Sequence, residues 1–245
     1  MNIRTLVIIP AHNEQETIAE LIGEIRQIDL DLEILVVDDG STDRTSEKAS
    51  QAGAEVVRLL CRMGYGVALQ TGYKYASANN YDFLVQLDAD GQHNPTSIPD
   101  LLRPVISGDA DITLGSRFLK PLRLKDDSSM NYHASILRTL GIRLFANLCS
   151  YFCGCRITDP TSGFQAMNRR VIRLFLQDVF PYNHPDADMI LLLHRAKIRM
   201  SEYPVMMRQR KYGKSMHSGI SAAWYLFEML LSMLFSLIRK KPELI

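Results

Sequence analysis

Three absences narrow the field before any motif is read. Cysteine is sparse, with Cys61, Cys149, Cys153 and Cys155 the only four in 245 residues. The last three cluster, but at spacings that match no zinc pattern, and no histidine pair at ligand spacing accompanies them. Structural or free thiols are what remains. A surplus of one charge is also missing, since 28 Lys and Arg stand against 27 Asp and Glu. A nucleic-acid partner therefore has no global electrostatic support. The opening "MNIRTLVIIPAHNE" holds only a short apolar run before Pro10. That is too little for a signal peptide and predicts a cytosolic start of the domain.

What is present reads as an ordinary folded protein, 47% apolar and 22% charged, without internal repeats or low-complexity tracts. The first half alternates strands and helices. Thr5–Pro10, Glu33–Asp39, Ala54–Leu59, Asp82–Asp88 and Asp111–Ser116 are short β-branched or Leu-rich runs, of the kind covered on both faces. Helical stretches lie between them, at roughly Glu14–Ile28, Asp43–Ala52, Gly66–Ala78 and Pro95–Ile106. Thr42-Asp43 supplies N-cap chemistry and Gly53 a helix stop. This alternation predicts an α/β fold with a Rossmann-like, mostly parallel central sheet flanked by helices. Further helices are expected over Tyr132–Phe152, Asn168–Gln177 and Ala187–Lys197, a strand near Arg199–Arg210, and a polar loop at Lys120–Asn131.

In such sheets ligands bind beyond the carboxyl ends of the strands. Those ends carry Pro10-Ala11-His12-Asn13-Glu14, Asp38-Asp39-Gly40-Ser41, Asp88-Ala89-Asp90 and Ser116-Arg117. Asp-Gly-Ser is a common turn and Asp-X-Asp often caps a helix, so each is weak alone. Their gathering at one edge is the stronger signal. Asp88 and Asp90, one residue apart at a strand end, offer hard oxygen ligands to Mg²⁺ or Mn²⁺, with Gln92 near enough to join them. His93 reads instead as a surface or capping residue. No Gly-X-Gly-X-X-Gly follows the first strand and no Gly-Lys-Ser/Thr loop occurs, which disfavours dinucleotide redox chemistry and P-loop phosphoryl transfer.

The segments "VIIPAHNE", "VVDDGSTDRT", "GYGVALQTGY", "QLDADGQHNP", "LGSRF" and "TDPTSGFQAMNRR" resemble, in order and spacing, family 2 glycosyltransferases of the GT-A fold. The likeness is greatest to the dolichol-phosphate mannosyltransferase and polyprenyl-phosphate glycosyltransferase group. It runs from Leu6 to about Ser218. It implies a nucleotide-sugar site formed by Pro10, Asn13, Glu14, Asp39 and Asp88. Asp88, Asp90 and Gln92 are its implied metal ligands for Mg²⁺ or Mn²⁺. Arg117 matches a basic residue facing the acceptor phosphate, and Ser135 and Arg138 fall where the family grips that phosphate. Arg210 and Lys214 match a segment that closes over the diphosphate, whereas Arg208 and Lys211 read as surface charges. Asp159 matches a position that orients the sugar, or acts as base for a hydroxyl acceptor; the plain alternative is a turn before Pro160. Asp90, Arg117 and Asp159 are thus the implied catalytic residues.

The implied activity is inverting transfer from a nucleotide-sugar of the GDP-mannose or UDP-glucose type to a polyprenyl or dolichyl phosphate. The alternatives are transfer to a saccharide hydroxyl, or a non-catalytic nucleotide-binding membrane subunit. A sugar-nucleotide nucleotidyltransferase would need a Gly-rich, Arg-containing loop after its first strand, and "PAHNEQET" has none.

The expected organisation is a catalytic domain over residues 1–218 and an apolar helix over 219–245. Ile220 to Ile238 would extend about 28 Å as a helix. Its polar residues Ser221, Glu228, Ser232 and Ser236 recur at helical spacing as one narrow seam, and cations flank both ends. A helix lying at the cytoplasmic face of a membrane, held by lipid or by a membrane subunit, is the expectation. The alternative is a helix folded onto the domain.

Overall fold

The computed structural model describes residues 3–119, 136–177, 180, 185–209 and 220–239, and of residues 136–139 and 220–223 the backbone alone. Its strands are β1 (Thr5–Ala11), β2 (Leu32–Asp38), β3 (Glu55–Arg58), β4 (Phe83–Gln86), β5 (Ile112–Ser116), β6 (Gln165–Asn168) and β7 (Met200–Pro204). They form one sheet of seven strands in the order β3-β2-β1-β4-β6-β5-β7. The helices are α1 (Ile18–Arg26), α2 (Thr45–Gln51), α3 (Tyr65–Ala78), α4 (Ile98–Ile106), α5 (Ile136–Cys153), α6 (Arg169–Phe175), α7 (Ala187–Arg195) and α8 (Ile220–Ile238).

The apolar runs make strands because both faces of the sheet are covered. Along β1, Leu6 and Ile8 enter one core with α3, α6 and α7, while Val7, Ile9 and Ala11 enter the opposite core with α1 and α4. Period-two alternation therefore feeds two apolar layers instead of one. Several helices begin or end inside their expected limits. Residues 14–17 form a turn whose Glu14 carbonyl receives the N–H of Thr17 and Ile18, so α1 starts later than Glu14. Pro95–Ser97 is a separate 3-10 turn ahead of α4. The expected loop at Lys120–Asn131 lies outside the described residues.

The expected mostly parallel sheet is present, with one strand reversed. β1, β2, β3 and β4 run parallel, as do β5 and β7, but β6 is antiparallel to both β4 and β5. The four-residue "QAMN" of β6 has little β-branched character, so nothing in its composition announces a strand. Its direction matters for function. Gln165, the first residue of β6, lies opposite Gln86 at the end of β4 and Leu114 near the end of β5. The segment before β6 thereby reaches the same edge as the segments after β1, β2, β4 and β5.

Helix α8 is folded onto the domain. Met229 and Met233 are buried in the core shared with α7, and Gly141 of α5 admits the Leu226 side chain, which would lie 2.9 Å from a Cβ there. Polar bonds complete the junction. Tyr225 donates to Asp186 at 2.5 Å, Ser232 donates to Asp188, and Arg195 donates to the carbonyls of Ser236 and Arg239.

Asp188, 1% exposed, makes this junction sensitive to pH. Burial pushes its carboxyl up from 3.8 to about 6, against the opposing pull of Ser232 and the Met189 N–H. A raised folded-state value means that this group's stabilising contribution is complete below about pH 4 and is lost as pH rises through about 6. Asp188→Asn should flatten the pH dependence of urea unfolding between pH 4 and 6 and raise stability at pH 7 by up to about 3 kcal/mol. An unchanged pH slope would contradict this role.

Candidate functional site

At the polar edge of the sheet, the ends of β1 and β2 are stitched by side chain to backbone bonds. Asn13, in the left-handed region at φ 56°, accepts the Thr42 N–H at 2.8 Å through its side-chain oxygen. Its own N–H donates to Ser41 Oγ at 2.9 Å, the Glu14 N–H donates to Thr45 Oγ1 at 2.9 Å, and Asp39 O lies 2.8 Å from His12 Nδ1. Asp38 is fully buried and accepts from the Ser41 N–H and the Ser46 hydroxyl. Asp39 accepts from the N–H groups of Met63 at 2.6 Å and Gly64 at 2.9 Å, anchoring the start of α3. Gly40 is required here: at φ 64°, a Cβ would lie 2.5 Å from the Cys61 carbonyl carbon. Pro10 is buried within β1.

Beyond β4 the chain turns sharply at Gly91. Asp90 Oδ1 accepts the Gln92 N–H at 3.0 Å, and Asn94 accepts the Thr96 N–H at 3.2 Å to cap the next turn. Asp88 is half-buried, with Oδ1 receiving the Tyr65 hydroxyl at 2.8 Å and Oδ2 lying 3.2 Å from His93 Nε2. Burial would raise the Asp88 carboxyl, but His93, Tyr65 and the Arg117 charge hold it below its ordinary value of 3.8. Burial and the neighbouring Asp88 push the Tyr65 phenol well up, which keeps it a donor. A shallow cleft opens beside Asp90, between Thr17 and Glu20 on one side and Arg208 on the other.

The end of β5 meets the segment before β6 through a buried ion pair. Arg117 donates to Asp159 from Nε at 2.6 Å, Nη2 at 2.6 Å and its backbone N–H at 3.0 Å, and Nη2 also reaches Thr161 Oγ1 at 2.7 Å. Their side chains are 7% and 0% exposed. Glu202 of β7 accepts the N–H groups of Thr158 and Asp159 at 2.9 and 3.0 Å, holding that loop from below.

Six of the site residues expected from sequence thus come to one edge with their surroundings described on both strands and loops: Asn13, Asp39, Asp88, Asp90, Arg117 and Asp159. Pro10, Glu14 and Gln92 border them. Ser135, Arg210 and Lys214 lie outside the described residues, as does the side chain of Arg138 in α5. Arg208 is not a loose surface charge: it pairs with Glu24 at 2.7 Å and donates to Asn94 at 3.2 Å. His93 departs from its expected surface position. It is 3% exposed and packs its ring 5.0 Å from that of Phe164, beside an isolated antiparallel bridge to Met207. Tyr65 was not singled out from the sequence at all, although "GYG" begins α3 at the site. The signal for both lies in three dimensions, because Gly91 folds His93 back under Asp88 while Tyr65 arrives from another element.

The donor set suits a hard divalent cation: the carboxylates of Asp88 and Asp90 and the amide oxygen of Gln92 supply oxygen, with no thiolate among them. Among the described residues no group of three His, Cys, Asp or Glu is placed to enclose a metal. Mg²⁺ and Mn²⁺ are commonly held by one or two carboxylates together with substrate phosphates.

Comparison with known proteins places the chain in a family. The profile of the family described as "Glycosyl transferase family 2" matches residues 6–175. An undecaprenyl-phosphate mannosyltransferase of Micrococcus luteus is 30% identical over 224 residues, covering 88% of each chain. A polyprenol monophosphomannose synthase of Mycolicibacterium smegmatis is 30% identical over 235 residues, covering 92% of this chain and 85% of the relative. Among solved structures, glucosyl-3-phosphoglycerate synthase of Mycobacterium tuberculosis, in complex with Mn²⁺ and UDP-glucose, superposes with a TM-score of 0.67 at 20% identity. That superposition covers 96% of this chain and 79% of the other. Fold and family together define a glycosyltransferase of GT-A architecture. The chain belongs to glycosyl transferase family 2.

Proposed function

We propose that this protein transfers a sugar, with inversion, from a nucleotide-sugar to a polyprenyl phosphate at a membrane surface. The observation that carries the reading is the state of Asp159. Its carboxylate is enclosed by Arg117 and Thr161, which leaves it engaged as the partner of a guanidinium rather than poised to take a proton from a hydroxyl. A phosphate acceptor is already an anion near neutral pH and needs no such base. The names of the Micrococcus and Mycolicibacterium relatives, both at 30% identity, support the same acceptor class.

The residues divide the work as follows. Asp39 and Asn13, at the ends of β2 and β1, border the nucleoside. Asp88 and Asp90, with Gln92, would hold Mg²⁺ or Mn²⁺ against the donor diphosphate. When bound, the cation supplies positive charge to the diphosphate as it leaves. A phosphate oxygen of the acceptor attacks the anomeric carbon from the face opposite the diphosphate; the new C–O bond forms as the bond to the β-phosphate oxygen breaks. No proton moves in that step. Arg117, oriented by Asp159, keeps positive charge at the edge where two anions must approach each other. Arg210, Lys214 and Arg138 would add positive charge, and Ser135 a hydroxyl donor, for the phosphates of donor and acceptor.

Helix α8 supports the membrane surface. The polar seam of Glu228, Ser232 and Ser236 is turned towards the domain, while the residues that face outward between positions 224 and 238 are all apolar. They include Trp224, Phe227, Leu234, Phe235 and Ile238, each more than half exposed. Among the described residues no helix is long and apolar enough to cross a membrane. An apolar face on a helix whose other side is buried in the domain suits lipid contact at the interface.

Two experiments test this reading. The protein is incubated with Mn²⁺ or Mg²⁺, a panel of nucleotide-sugars and a polyprenyl phosphate, and nucleotide release is measured together with acid-labile glycolipid. Asp90→Ala should lower turnover by roughly 10²-fold or more; full activity in that variant would refute the metal-site assignment. Separately, the wild type should float with anionic liposomes, and Phe227→Glu with Phe235→Glu should abolish flotation without unfolding the chain, since both side chains are exposed. Equal flotation would remove α8 as the lipid contact.

A further inference from the structure

Hydrogen-bond donors converge on Asp88 from two directions. Tyr65, the first residue of α3, donates its phenol proton to Oδ1 at 2.8 Å, and His93 Nε2 approaches Oδ2 at 3.2 Å. The series continues behind Tyr65. The Gln86 side-chain amide donates to the Tyr65 oxygen at 3.4 Å, and the Gln86 side-chain oxygen accepts the Tyr73 hydroxyl at 2.5 Å. Tyr73, Gln86 and Tyr65 each direct a proton towards the next group, so the series runs in one sense and ends on the carboxylate.

On the other side the tautomer of His93 follows from its partner. An ionised Asp88 only accepts, so Nε2 carries the proton. Nδ1 is buried and has no hydrogen-bond partner among the described residues. The ring is held there by packing on Phe164, at 5.0 Å between centroids. A buried imidazole whose one satisfied nitrogen faces a carboxylate is arranged for that carboxylate. The third side is closed by Gly163, where a Cβ would lie 2.9 Å from Asp88 Oδ2 and 3.1 Å from the Tyr65 oxygen. Only a residue without a side chain lets the "TSGF" segment pass so close.

We propose that Tyr65 and His93 are positioning residues that lock the Asp88 carboxylate in one orientation, with its remaining lone pairs turned to the divalent cation and donor diphosphate. The proposal rests on the nucleotide-sugar reading given above. Each oxygen accepts one bond from the protein, which prevents rotation of the carboxylate about Cβ–Cγ. The Tyr65 phenol is a neutral donor, so it orients Asp88 without cancelling the negative charge that a cation requires. An arginine or lysine at either place would form an ion pair and compete with the metal.

The test is Mn²⁺ binding in the presence of GDP or UDP, followed by the loss of the free Mn²⁺ electron paramagnetic resonance signal, without acceptor or turnover. Tyr65→Phe removes one hydroxyl and keeps the ring, and His93→Leu removes the second donor. Both should weaken Mn²⁺ binding by about 10- to 100-fold, and His93→Gln, which retains an N–H donor, should recover much of the loss. A purely structural role would instead lower the melting temperature in EDTA and leave the Mn²⁺ affinity of the folded protein unchanged. Should His93→Leu fail to fold, Tyr65→Phe decides the question. Wild-type affinity in Tyr65→Phe overturns the positioning role while leaving the nucleotide-sugar site intact; a wild type that binds Mn²⁺ with neither nucleotide overturns both.

Discussion

The buried ion pair of Arg117 and Asp159 joins two segments that chain order keeps 42 residues apart. Arg117 follows β5 and Asp159 precedes β6, and only the reversal of β6 brings them to the same edge of the sheet. Leaving either charge buried without the other would cost about 3–5 kcal/mol. The pair therefore fixes the path of residues 158–164, and Glu202 reinforces it by accepting from two backbone N–H groups of that loop. Everything else at the site leans on this path. Thr161 steadies the guanidinium, Gly163 passes against Asp88, and Phe164 backs the His93 ring.

Charge is the organising difficulty of the proposed reaction. A diphosphate and a phosphate must meet beside two aspartates, yet the chain carries a net charge of only +1. The protein answers locally. His93, Tyr65 and the nearby Arg117 hold the Asp88 carboxyl below its ordinary value, and Asp159 spends its charge on holding that arginine. At α8, Asp186 and the buried Asp188 accept the hydroxyls of Tyr225 and Ser232. That junction turns the polar seam of the helix inward with Met229 and Met233, and leaves Trp224, Phe227, Leu234, Phe235 and Ile238 outward.

Much of this was legible in the sequence, and the limits are physical. The strands of the first half announced themselves because a strand buried on both faces must be apolar throughout, as "TLVII" and "EILVV" are. Asp39, Asp88, Asp90 and Arg117 were found by one topological rule, that strand ends carry ligands. Strand β6 was invisible, since "QAMN" owes its conformation to pairing with β4 and β5 and not to its own propensity. His93 was misjudged because local sequence shows a polar turn, whereas burial comes from Phe164 and the crossing at Met207. The polar seam of α8 was seen at its correct spacing, but periodicity cannot tell which face meets the domain; Asp186 and Asp188 decide that.

The account stands on Asp88 and Asp90 holding a divalent cation beside the donor diphosphate at the end of β4. Crystals grown with Mn²⁺ and a nucleoside diphosphate, measured at a wavelength where manganese scatters anomalously, test this directly. The account predicts an anomalous peak within coordination distance of the Asp90 carboxylate and of the diphosphate oxygens. A nucleotide bound at this edge with manganese elsewhere, or with none, would contradict it.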